Sequence, residues 1–193
     1  MKYINYLEQA NDLALGLGFN LNLNESTPVT GKQSQNYRSL CNDELLHSLI
    51  NKFGLGYWSN SCMAFSSHVF EYLQKKGIPC NLVYGEVIIN GTYEFDTTVD
   101  GLISEFNKGY SNSSMKIHVW IAVGKDYIID PTIAARVSEY YDKGLSPHQI
   151  ISGKASSLHK KMRLEYIPML SGPEFIERVC NLKLNYTSAK EFV

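Results

Sequence analysis

The spacing of apolar residues changes period at Gly77, and no other feature of the sequence constrains the fold as strongly. Before it, Phe65, Val69, Tyr72 and Leu73 recur at helical spacing, which predicts a helix from about Cys62 to Lys76 that Gly77 closes. After it, Leu82 to Ile89 is rich in β-branched residues, Asn90-Gly91 is a hairpin signal, and Thr92 to Phe95 returns as a strand. Ile117 to Val123 and Tyr127 to Asp130 predict a second hairpin around Gly124-Lys125-Asp126.

Upstream, Ile4, Leu7, Leu13 and Leu15 suit a first helix with Gly16 and Gly18 as stops, and residues 20–38 read as a long polar loop. Ser39 is placed to cap a second helix whose Leu45, Leu46, Leu49, Ile50 and Phe53 form a core stripe ending at Gly54. Downstream, Ser146-Pro147 predicts a short helix, Met162 to Ile167 a strand, and Ser171-Gly172-Pro173-Glu174 a capping box opening a helix through Cys180. No repeat or linker divides the chain. The expectation is one α+β domain over residues 1–193, helices first and packed on an antiparallel sheet.

With 18 Lys or Arg against 19 Asp or Glu, the net charge of −1 leaves no electrostatic case for a nucleic-acid or anionic-membrane binder. Lys160, Lys161 and Arg163, the tightest basic cluster, read as a solvated face. Hydrophobic residues at 44% and aromatics at 12% are enough for a packed core, while 15 Asn and 19 Ser carry much of the polar surface. No apolar run approaches the roughly 20 residues that span a bilayer. The stretch from Met1 to Gln9 has no signal-peptide apolar region, so a soluble, cytoplasmic protein is expected, although signal-less export would leave no trace in this pattern.

Cys41, Cys62, Cys80 and Cys180 form no C-x-x-C pair and have no His at zinc spacing, so free thiols and no metal or cofactor are expected. Cys41, Cys80 and Cys180 sit where a small apolar residue is ordinary. Cys62 differs: it opens a helix, where free N–H groups and the dipole favour a thiolate. His118 and Asp130 fall on consecutive strands. If a three-residue loop joins those strands, His118, Trp120 and Asp130 share one face and are direct or diagonal neighbours, with Ile117, Val119, Ile121 and Val123 on the other, buried face; a two-residue loop separates them. Together, Cys62, His118 and Asp130 are the residue types of a thiol nucleophile, its acid–base partner and the carboxylate that holds the imidazole. The Cys62 N–H, with Trp58 Nε1–H or the Asn60 side chain, is a candidate oxyanion donor set; Trp58 equally suits a core anchor and Asn60 a turn or cap.

Asn60-Ser61-Cys62-Met63-Ala64-Phe65, the turn Gly77-Ile78-Pro79 into a strand reaching Gly85, His118-Val119-Trp120 and Asp130-Pro131-Thr132 together resemble the transglutaminase-like core of the papain-like cysteine protease superfamily, over residues 56–132. Ser61 and Met63 stand where that family usually has Gly before and an aromatic after the Cys. The resemblance implies a Cys62-His118-Asp130 triad, no metal in the chemistry, and acyl transfer through a thioester; Trp120 of the His-x-Trp motif joins Trp58 and Asn60 as an oxyanion or substrate candidate, and peptide or protein amide groups are the expected substrates. Hydrolysis or deamidation is the expected outcome. A non-catalytic binding module of the same fold and an N-acyltransferase with the same triad are the alternatives. The segment Leu82 to Asn107, with Glu86, Glu94, Asp96, Asp100 and Glu105 and no Lys or Arg, reads first as a solvated acidic face and second as a cleft wall favouring cationic substrates.

Overall fold

A computed structural model describes residues 2–21, 27–56, 58–110 and 115–186. Five antiparallel strands lie side by side in the order β6-β1-β3-β4-β5, with a short sixth, β2, paired beside the far end of β1. The strands are β1 (Asn81–Ile89), β2 (Thr92–Tyr93), β3 (His118–Val123), β4 (Tyr127–Asp130), β5 (Ile151–Lys154) and β6 (Leu164–Ser171). Helices cover both faces, so the α+β class holds, but the helices do not simply precede the sheet.

The first helix, α1 (Lys2–Gly16), lays Tyr3 and Leu7 against one face, together with Ile133, Ala134 and Val137 of α6 (Ile133–Tyr140) and Leu158 of α7 (Ala155–Met162). Trp120, Ala122, Ile128 and Tyr166 meet them from the sheet. The other face carries Val119, Ile121, Tyr127 and Ile129. It packs on Phe65, Val69 and Leu73 of α4 (Cys62–Lys75) and on Leu49 of α3 (Leu46–Phe53). Leu102 of α5 (Val99–Lys108) and Phe175 and Ile176 of α8 (Glu174–Val179) complete that layer. Burial on both faces explains why β3 and β4 are apolar but for His118 and Asp130 rather than alternating with solvent-facing residues.

Several boundaries depart from the sequence expectation. The supposed loop at residues 20–38 contains α2 (Gly31–Leu40), a polar helix with no buried residue. A capping box starts it: Thr30 Oγ1 accepts from Gln33 N–H at 3.3 Å while Thr30 N–H donates to Gln33 Oε1 at 2.9 Å. The helix continues through a π-helical turn at Cys41–Leu45 into α3, so Ser39 caps nothing. Ser146-Pro147 opens no helix, and β5 and α7 follow instead. Ser171 does not cap α8; its hydroxyl donates to Asn11 Oδ1 at 2.6 Å.

The second hairpin settles the question of parity. Val123 lies opposite Tyr127, Ala122 opposite Ile128 and Ile121 opposite Ile129, around the three-residue loop Gly124-Lys125-Asp126. His118, Trp120 and Asp130 therefore project from one face. Gly85 lies opposite His118 on β1, beside a bulge between Tyr84 and Gly85 in the pairing with β6. A Cβ at Gly85 would stand 2.1 Å from Ile167 O and 3.1 Å from the Trp120 ring, so backbone and indole together require glycine there.

Candidate active site

Cys62 is the first residue of α4, whose apolar face docks on β3 and so holds the helix start beside the start of that strand. Its thiol donates to Ile117 O at 3.6 Å, the carbonyl that precedes His118. His118 is 2% exposed, and its Nε2 lies 2.6 Å from Asp130 Oδ2. Nε2 thus donates to the carboxylate, leaving Nδ1 as the nitrogen available to the Cys62 thiol, which acts on the ring both as a charge and as a hydrogen-bonding group. Burial opposes the imidazolium. The Asp130 charge and hydrogen bond, with Cys62 adding to them, overcome it and carry His118 from 6.5 up to about 10.

All four acceptor positions of Asp130 are used. Oδ1 accepts from Thr132 N–H and Ile133 N–H, both at 3.0 Å, at the turn into α6; Oδ2 accepts from His118 and from the Tyr166 hydroxyl at 3.0 Å. The Asp-Pro-Thr turn therefore starts a helix and aims the carboxylate in one step.

Phe95 lies flat against the imidazole, with centroids 4.5 Å apart at 16°, and the Arg136 guanidinium stacks over Phe95 at 5.1 Å while pairing with Glu94. Glu86, which is 1% exposed, holds this cover in place. Its Oε1 accepts from the N–H groups of Val87, Glu94 and Phe95 at 2.8, 3.0 and 3.0 Å, and Oε2 from Thr97 N–H at 3.0 Å. The acidic stretch is therefore not a free anionic wall. Glu86 is buried in backbone donors, while Glu94 and Asp96 reach the cleft paired to Arg136 and Lys116.

The cleft at Cys62 measures about 1090 Å³. Asn60, Ser61, Cys62 and Met63 line one side, Phe95 and Ile117 another, and Ile176, Cys180 and Leu184 a third. Asn60 is exposed there, two residues before the thiol. Trp58 is not among the lining residues: its Nε1–H donates to Gly54 O at 3.0 Å and its ring packs on Phe65, so the core-anchor reading replaces the oxyanion one. Trp120 is likewise fully buried, stacked near His118 at 6.1 Å and edge-on to Tyr166 at 5.1 Å, so it supports the imidazole from within and does not meet a substrate.

Cys41 and Cys80 are buried thiols outside any disulfide, and burial pushes Cys41 up to about 12. Cys180 is partly buried and shares the cleft with Cys62; burial first, then the Cys62 charge, raises its thiol. Among the described residues no group of three or more His, Cys, Asp or Glu is placed to hold a metal ion, and no helix is long and apolar enough to cross a membrane. Sequence reasoning missed Phe95, Arg136 and Tyr166, and named Glu86 only as one member of an acidic stretch. Tyr166 alone carried a usable signal, since a Tyr at an inward position of an alternating strand needs a partner for its hydroxyl.

No family model matches the chain. An archaemetzincin from Nanoarchaeum equitans (strain Kin4-M) is 43% identical over 51 residues, which is 26% of this chain and 30% of that protein. Alignment to the crystal structure of a structural-genomics target covers 77% of this chain and 69% of that one at 16% identity, with a TM-score of 0.36.

Proposed function

We propose that the chain is a cysteine-dependent acyl-transfer enzyme with a transglutaminase-like core of the papain-like superfamily, acting on amide groups of peptides or proteins. The observation that carries this reading is His118 Nε2 at 2.6 Å from Asp130 Oδ2, with Cys62, which lines the cleft, acting electrostatically on the same ring. In the first step the Cys62 thiol proton passes to His118 as the sulfur bonds to the amide carbon, and the C–N bond breaks as that proton passes on to the departing nitrogen, leaving a thioester. In the second, water attacks the thioester, His118 takes its proton and returns it to sulfur, and a carboxylic acid leaves. A glutamine side chain yields ammonia and glutamate; a peptide bond yields two fragments. Backbone N–H groups at the start of α4 and the exposed Asn60 side chain are the donors available to the oxyanion.

The cover of Phe95 over a His118 only 2% exposed supports a second reading, a binding module that keeps the fold without turnover. Competition between two thiols in one cleft tests the choice. Under the enzyme reading iodoacetamide labels Cys62 at least about tenfold faster than Cys180 at pH 7, and His118→Gln removes the difference. Equal rates in the unsubstituted chain favour the module.

A further inference from the structure

Tyr166 reaches Asp130 from across the sheet, because β6 and β4 are separated by β1 and β3. Between them Gly85 carries no side chain, and Trp120, edge-on to Tyr166, fills the space below. Tyr166 is 2% exposed, and burial, then the Asp130 charge and hydrogen bond, hold its hydroxyl well above the usual range, so it stays a donor. Its target is the oxygen that His118 uses, at 3.0 Å against 2.6 Å.

We propose that Tyr166 is a positioning residue of this site: by donating to Asp130 Oδ2 it fixes the carboxylate and takes part of the charge that would otherwise act on His118 alone. The assignment deepens the acyl-transfer reading and rests on it only for its catalytic meaning. Two donors on one carboxylate oxygen divide its electrostatic pull. Removing the hydroxyl leaves His118 as the sole donor to Oδ2 and stabilises its protonated form. The other charged and titratable groups around the ring are Cys62 from α4, Arg136 of α6 and Glu94 behind Phe95, Glu86 of β1 beneath that segment, and Tyr3 of α1, which accepts from Trp120 Nε1–H at 3.4 Å. None of them donates to Oδ2.

The test is an NMR titration of the His118 ring nitrogens in the full chain and in Tyr166→Phe, which keeps the ring. The expected result is an upward shift of the His118 midpoint by about half a unit or more. A merely structural role would lower the denaturation midpoint and leave the titration in place; an unmoved or lowered His118 midpoint in folded Tyr166→Phe overturns the proposal. Should that variant fail to fold, the unsubstituted chain decides. An exchange-protected Tyr166 hydroxyl proton in contact with the His118 Nε2 proton is expected, and an unprotected, freely exchanging hydroxyl refutes the assignment. Because neither measurement needs turnover, an inert Cys62 would sink the enzyme reading and leave this one standing.

Discussion

His118 donates to Asp130 across 2.6 Å from a diagonal position on the neighbouring strand, with both side chains all but inaccessible to solvent. Such a pair is held by its geometry: removing one member leaves the other buried and uncompensated. Asp130→Asn keeps the shape but deletes the charge that offsets the imidazolium. We expect a loss of on the order of 3 kcal/mol in urea denaturation at pH 7. A loss under about 0.5 kcal/mol, typical of a neutral surface change, would contradict the pairing.

The same pair makes stability depend on pH in a defined direction. His118 rises from 6.5 to about 10 on folding, so the folded state binds its proton more tightly than the unfolded state. The resulting stabilisation is complete below pH 6.5, declines above it, and is gone once the pH passes about 10. The difference in denaturation midpoint between the unsubstituted chain and His118→Gln should shrink steadily from pH 6 to pH 10. A difference that stays flat over that range would count against the assignment.

Glu86 organises the segment that covers His118. Glu86→Gln puts an amide N–H where a carboxylate oxygen accepted, so one of the N–H groups of residues 94–97 faces a donor. The expected cost is about 1–3 kcal/mol. Hydrogen exchange should also accelerate at Phe95 and Thr97, while the amides of α4 keep their protection. Unchanged exchange at Thr97 would show that the carboxylate does not hold this segment.

Gly85 and Gly16 offer a matched contrast. Gly85→Ala drives a methyl group into Ile167 O and should cost more than about 3 kcal/mol, since neither that backbone nor Trp120 can move away freely. Gly16→Ala meets no atom within 4 Å and should leave stability unchanged or raise it by up to about 1 kcal/mol. Chemical denaturation of the two variants checks both.

What the sequence made legible follows from local chemistry. The Cys62 helix, the Asn90-Gly91 turn and the strand Tyr127 to Asp130 are specified by residues adjacent in the chain, and each lies within a residue or two of its expected place. The even register of His118 and Asp130 depended only on loop length, so it could be posed as a question before the structure answered it. The rest depends on distant partners. The polar helix α2 has no apolar stripe to betray it, and its start rests on the reciprocal bonds of Thr30 and Gln33. Glu86 looked like one acid among five until four backbone donors surrounded it. Trp58 read equally as an oxyanion donor and as a core anchor, and Gly54 O, four residues back, took its N–H.

Under the proposed function, Cys62 forms a thioester with an amide substrate, and His118 and Asp130 serve it. Incubation with a glutamine-rich unfolded protein such as casein, with ammonia and product masses followed together, tests it most directly. Ammonia release with a gain of about one dalton per modified glutamine, or new fragments, is expected from the unsubstituted chain, together with loss of that signal in Cys62→Ala. The same products at the same rate from Cys62→Ala, or none from either protein, would contradict it.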